Sequence, residues 1–121
     1  MALDNNRIYK RGDIVQARFD PTEGSEQSGV RPAIVLSPDA FNRHSPLLVL
    51  ASLTTKNLDR IYPFEVLVEP GAIVKRRSKI LLMQLRGMSQ SRVVTCYGQL
   101  PPETLLEVDA ALKIAVGLEK I

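Results

Sequence analysis

Short strand-like runs separated by turn residues constrain this chain more than any other feature. Over residues 13–19 apolar and polar positions alternate, with Val15, Ala17 and Phe19 on one face and Gln16 and Arg18 on the other, the pattern of a half-buried strand. Residues 33–36 form a continuous apolar run, consistent with a strand covered on both faces. Ser37-Pro38-Asp39 ends it, because proline has no N–H to give to a ladder. Residues 47–53, the most apolar run of the chain, read as a central strand ending on Thr54-Thr55-Lys56. Three further strands are predicted at 64–68, where Pro63 suggests an edge, at 79–83 and at 92–97. Residues 40–45 read as a polar connection, 57–60 and Pro70-Gly71 as turns, and 86–89 as the link between the last two strands.

From Pro101 the period changes. Leu105, Val108, Leu112 and Ala115 recur at helical spacing, with Leu106, Val116 and Leu118 widening the stripe. Pro102 suits a first helical turn, while Glu103, Glu107 and Asp109 lie toward the positive end of the helix dipole and Lys113 and Lys120 toward the negative end. Six short strands and one closing helix predict a mainly β fold: a small antiparallel barrel or strongly twisted sheet with a C-terminal α-helix packed across it. At 121 residues, with no internal repeat and no linker, the chain reads as a single domain, 1–121.

Residue counts remove several kinds of chemistry. A single cysteine, Cys96, excludes an internal disulfide or a cysteine-rich metal site, and a single histidine, His44, excludes two-histidine metal sites and acid/base pairs. Cys96 reads as a small buried hydrophobe and His44 as a surface loop residue. No metal and no cofactor is expected. No stretch is apolar enough to cross a bilayer, and residues 1–7 lack the core of a secretory signal, so a cytoplasmic protein without a membrane partner is expected. The net charge of +3 is mild, but residues 71–102 hold no acidic side chain while Lys75, Arg76, Arg77, Lys79, Arg86 and Arg92 all fall there. Such a segment suits a polyanion, although Lys75-Arg76-Arg77 alone reads as a solvated turn.

The most promising place for chemistry is the long loop between the first two strands, residues 20–32. Its glycines and Pro21 make it a flexible turn, and it ends on Arg31 beside the rigid Pro32, with the carboxylate of Glu26 five positions earlier. Polar loops longer than a hairpin requires are more often binding loops or site covers.

Around this loop stand Gly12-Asp13-Ile14-Val15, Phe19-Asp20-Pro21-Thr22, Gly24-Ser25-Glu26-Gln27, Gly29, Arg31-Pro32-Ala33 and Val35-Leu36-Ser37-Pro38. With Leu53-Thr54-Thr55, Tyr62-Pro63-Phe64-Glu65-Val66 and Leu82-Met83-Gln84-Leu85-Arg86, these blocks strongly resemble the MazF/PemK family of toxin endoribonucleases over nearly the whole chain. The resemblance implies an SH3-like barrel of the CcdB/PemK kind that pairs into a homodimer. It also implies a sequence-specific, metal-independent endoribonuclease acting on single-stranded RNA as the toxin of a type II toxin–antitoxin system. The implied partner is a cognate MazE-like antitoxin whose disordered acidic tail covers the RNA groove.

Cleavage of RNA by its own 2′-hydroxyl needs a base, a donor or cation for the charge developing on the phosphoryl oxygens, and an acid for the departing 5′-oxygen. Arg31 fits the second role, since a guanidinium matches two phosphate oxygens and keeps its charge; an ordinary exposed arginine is the plainer alternative. Glu26 is the candidate base, with Glu23 as a competing carboxylate and simple solvation as the plainer fate of both. Thr54 and Thr55 fall on opposite strand faces, so only one can share a cleft with Arg31. Periodicity does not choose between them; the family motif selects Thr54. The catalytic candidates are therefore Arg31, Thr54 and Glu26. Ser25, Thr55, Lys56, Lys79, Gln84 and Arg86 are the candidate RNA contacts. Phe19 could stack on a base, but its face favours the core. Met83 stands where the family often has a carboxylate, which shifts the burden of proton transfer to Glu26. Two other readings of the same architecture are a CcdB-like toxin that poisons gyrase and a non-catalytic SH3-like nucleic-acid-binding module. The chain has no tryptophan to serve as the C-terminal gyrase contact of the first.

Overall fold

The computed structural model describes residues 8–19, 24 and 29–121. Seven strands appear among them: β1 (Asp13–Arg18), β2 (Val30–Val35), β3 (Leu47–Thr54), β4 (Glu65–Val68), β5 (Ser78–Leu81), β6 (Arg86–Ser89) and β7 (Val93–Gln99). Two α-helices accompany them, α1 (Asp39–His44) and α2 (Pro102–Ala115). All pairings are antiparallel, in the order β4-β5-β3-β2-β1-β7, with β6 also paired to β3. The end strands β4 and β7 do not pair with each other among the described residues, so the expected barrel is an open sheet.

β3 is the hub of the sheet. Its Leu50–Ser52 stretch pairs with β2, while β6 runs along Leu47–Leu50 and β5 along Leu53 and Thr54. A 3-10 turn at Leu82–Gln84 joins β5 to β6. Seven strands stand where six were expected, because residues 86–89 pair with β3 rather than merely linking their neighbours. Residues 40–45 depart from expectation too, since Asp39–His44 is a helix. Asn42 explains this short helix: it is buried, and its amide donates to the carbonyls of Ser37 and Tyr9 at 3.0 and 3.1 Å.

Strand alternation sorts the core into two clusters. Ile14, Ile34, Ala51, Leu53, Val66 and Ile80 pack with Val108 and Ala111 of α2. On the other face Val15, Ala17, Phe19, Ala33, Val35, Leu48, Leu50 and Met88 form the second cluster. Each fully buried valine, leucine, isoleucine or phenylalanine here contributes about 1.5–3 kcal/mol. Gly12 lets helix and sheet approach: its φ is +96°, which strains any side chain, and Leu105 Cδ1, only 2.8 Å from where a Cβ would stand, would have to shift. Leu105, Leu112 and Ala115 flank the first cluster as the helical stripe predicts, but Leu106, Val116 and Leu118 are exposed.

Candidate functional site

The register of β2 on β3 carries the geometry of the site. Ala33 lies opposite Ser52 and Val35 opposite Leu50; Arg31 and Thr54 each stand two residues beyond the Ala33–Ser52 pair, where this ladder ends. Arg31, Ala33 and Val35 share a face by alternation, as do Leu50, Ser52 and Thr54, and the two sets face the same side. Arg31 and Thr54 thus lie on one face of the sheet and toward the same end; their own pairing partners are Ala17 and Lys79, respectively. Arg31 is half-buried, and Thr54 is only 6% exposed.

Beside Thr54 opens a cleft of about 580 Å³, lined by Thr54, Lys56, Asn57, Arg60, Tyr62, Glu65, Lys79 and Gln84 among others. The Thr54 hydroxyl accepts the Lys56 N–H at 3.2 Å, so its own proton is free to be donated elsewhere. Strand-end threonines often close turns in this way, and here the turn contact orients the hydroxyl.

Lys79 occupies the floor of the cleft. It pairs with Thr54 in the sheet and is 4% exposed. Its ammonium meets Glu65 Oε1 at 2.9 Å and donates to the carbonyls of Asn57 and Arg60, each at 3.0 Å. All three donors are thus engaged. Lys79, expected as an RNA contact, holds the turn between β3 and β4. Asn57, with a φ of 57°, supplies the left-handed residue this turn needs.

Arg86 is half-buried on the face of the second cluster, opposite Leu50. Its Nη1 donates to the Phe19 carbonyl at 3.3 Å, and its guanidinium lies 5.8 Å from the Phe19 ring centroid. Phe19 itself is buried, and its N–H donates to the Gly29 carbonyl at 2.8 Å, closing the neck of the β1–β2 loop. Arg92 adds a contact to the Arg18 carbonyl at 3.3 Å. Two arginines thus brace the strand that enters the loop.

Lys56 and Gln84 line the Thr54 cleft as exposed and half-buried side chains, respectively. Thr55 lies elsewhere: it lines a second, more apolar pocket of about 590 Å³ with Ile14, Pro32, Ile73 and Tyr97. Glu26, Ser25 and Glu23 lie outside the described residues. The acid-free segment does not form one basic face, because Lys75 and Arg76 border the Thr55 pocket while Lys79 is buried on the Thr54 side. Met83 is exposed on the 3-10 turn, His44 is exposed at the end of α1, and Cys96 is half-buried against the second cluster. Sequence reasoning passed over Tyr62 and Glu65. Their signal was the Tyr62-Pro63-Phe64-Glu65-Val66 block, which alternation alone assigns to a strand edge.

A half-buried guanidinium and an oriented hydroxyl on one face of adjacent strands form an arrangement suited to an oxyanion such as a phosphate. Comparison with known proteins gives the family. The model of the PemK-like, MazF-like toxins of type II toxin–antitoxin systems matches residues 10–116. The chain belongs to this family. Among solved structures, MazF from Deinococcus radiodurans superposes with a TM-score of 0.79 at 31% identity, over 93% of this chain and 99% of that one. A MazE–MazF complex from the same organism gives 0.74 at 30% identity, over 94% and 100%. A mycobacterial endoribonuclease in complex with its cognate antitoxin shares the fold, with a TM-score of 0.77 at 22% identity over 93% and 99%.

Proposed function

We propose that this PemK-like, MazF-like toxin is a sequence-specific, metal-independent endoribonuclease that cuts single-stranded RNA. The observation that carries the reading is the shared face of Arg31 and Thr54 toward one end of β2 and β3, with Thr54 lining the cleft. A scissile phosphate seated there receives two donors on its non-bridging oxygens. The guanidinium neutralises charge as it develops, and the Thr54 proton adds a hydrogen bond whose direction is already set by the Lys56 N–H.

In the proposed reaction the 2′-hydroxyl oxygen attacks phosphorus and loses its proton to a base, and the P–O5′ bond breaks. Glu26, or a group it activates, takes the proton, and the 5′-oxygen is protonated as it leaves. The products are a 2′,3′-cyclic phosphate, or the 3′-phosphate formed from it, and a 5′-hydroxyl. Ser25, Lys56, Gln84 and Arg86 are assigned to RNA contact, with Arg86 also bracing the loop neck. Thr55, on the opposite face, would reach RNA only beyond the cleft.

The partner proposed is a cognate antitoxin of the MazE type, supported by the Deinococcus MazE–MazF complex at 30% identity. A homodimer in the cytoplasm is the working state proposed. Among the described residues no helix is long and apolar enough to cross a membrane.

The test is incubation of purified protein with one long single-stranded RNA in excess chelator, with both new ends mapped. Discrete cuts bearing cyclic or 3′-phosphate and 5′-hydroxyl ends are expected, and a 2′-deoxy nucleotide at a cut position should abolish that cut. Intact RNA, or cleavage of the deoxy substrate, would overturn the reading.

A further inference from the structure

Among the described residues lining the Thr54 cleft, Tyr62 is the only aromatic one. It leaves 42% of its surface exposed and belongs to neither core cluster. Phe64 backs it in an offset stack, with ring planes within 1° of parallel and centroids 5.4 Å apart. The exposed Arg60 guanidinium lies over the Tyr62 ring, 5.7 Å from its centroid, and donates to the Tyr62 hydroxyl at 3.4 Å. The Lys79 ammonium lies 5.9 Å from the same centroid, so a base stacking on this ring displaces the exposed Arg60 side chain.

Tyr62 is also held in place from below. Its N–H donates to Glu65 Oε1 at 3.0 Å, and Lys79 binds that same carboxylate oxygen at 2.9 Å. Lys79 also ties down the Asn57 and Arg60 carbonyls, so the turn carrying the ring is fixed before anything binds. A large flat side chain that is exposed but immobilised loses little entropy on contact with a ligand. Its neighbours are cations and donors: Lys56, Arg60, Gln84 and the Thr54 hydroxyl. Flat ring, flanking guanidinium and adjacent phosphate donors match the chemistry of an unstacked nucleotide.

We propose that Tyr62, backed by Phe64 and flanked by Arg60, is a stacking platform for one nucleobase next to the phosphate held at Thr54. The proposal rests on the endoribonuclease reading above and adds a subsite to it. Stacking tolerates any base, so the platform governs how tightly RNA is held, while the Gln84 amide across the cleft has the donors and acceptor to read a base edge.

The test compares wild type with Tyr62→Ala, Tyr62→Leu, Tyr62→Phe and Tyr62→Trp. The readouts are single-turnover cleavage and binding of an oligonucleotide blocked by 2′-O-methylation at its cut position. Loss of one stacked base predicts binding weakened roughly 5- to 150-fold in the Ala and Leu variants. The Phe and Trp variants should stay within about twofold of wild type. An abasic nucleotide at one position beside the cut should weaken wild type by the same factor and Tyr62→Ala no further. Because Tyr62→Leu keeps apolar bulk, it separates stacking from support of the turn. Unchanged binding by the Ala variant, a Phe variant as weak as Ala, or additive losses at every abasic position would overturn the platform alone. A wild-type protein that neither binds nor cuts RNA would overturn the nuclease reading and the platform with it.

Discussion

Thr54 and Thr55 are one peptide bond apart, yet the surfaces around them differ in almost every respect. The Thr54 cleft rests on a buried Lys79–Glu65 pair and carries an oriented hydroxyl, an amide and an immobilised aromatic ring. The Thr55 pocket has an apolar floor of Ile14, Pro32, Ile73 and Val74, with Lys75 and Arg76 exposed at its rim. Of the cations in the acid-free segment, the exposed Lys75 and Arg76 therefore lie on the side away from the proposed chemistry, while Lys79 on the near side is buried. The contrast teaches that net charge along a segment is a poor guide to the working face, whereas fixed donors beside a cleft are a better one.

The largest expected effect comes from the Thr54 side. Arg31→Ala should slow single-turnover cleavage by about a thousandfold, as loss of a principal transition-state donor does. Its thermal midpoint should stay close to wild type; a variant that still cuts rapidly would remove the guanidinium from the mechanism. Next comes the clamp: Lys79→Met leaves the Glu65 carboxylate buried without its cation and should cost about 3 kcal/mol of folding stability. Adding Glu65→Gln should recover part of that loss in chemical denaturation. Equal stability of single variant and wild type would show that the pair does not hold the turn.

A smaller effect is expected across the sheet. Lys75→Ala with Arg76→Ala should change cleavage by no more than about threefold at moderate salt, since both are exposed and lie on the Thr55 side. Rates measured at two salt concentrations would check this, and a large loss confined to low salt would move RNA onto that side. The smallest effect belongs to Ser52, on the Thr54 face, whose buried Oγ has no hydrogen-bond partner among the described residues. Ser52→Ala should leave stability unchanged or raise it by up to about 1 kcal/mol in denaturant titration, because it removes a desolvated hydroxyl.

Much of this arrangement was legible from alternation. The opposite faces of Thr54 and Thr55, the burial of Phe19 and the stripe of Leu105, Val108 and Leu112 all follow from periods of two and 3.6 residues. The shortest elements were not legible. Only Met88 of β6 is buried, which leaves no alternation to detect, and α1 is six residues long and depends on the hydrogen bonds of Asn42. The role of Lys79 in the fold was not legible either: all four residues of β5 are buried, and a charged side chain there has its partner inside the fold. That partner, Glu65, sits 14 positions earlier, and no local pattern links the two.

The most direct test of the central claim, that the face shared by Arg31 and Thr54 is the working one, is a single-turnover RNA cleavage assay of Thr54→Val beside Thr55→Val in chelator. Valine keeps each side chain's shape and removes only the hydroxyl. The account predicts that Thr54→Val slows cleavage by more than about tenfold and that Thr55→Val stays within about twofold of wild type. Equal rates for the two variants, or a greater loss in Thr55→Val, would contradict it.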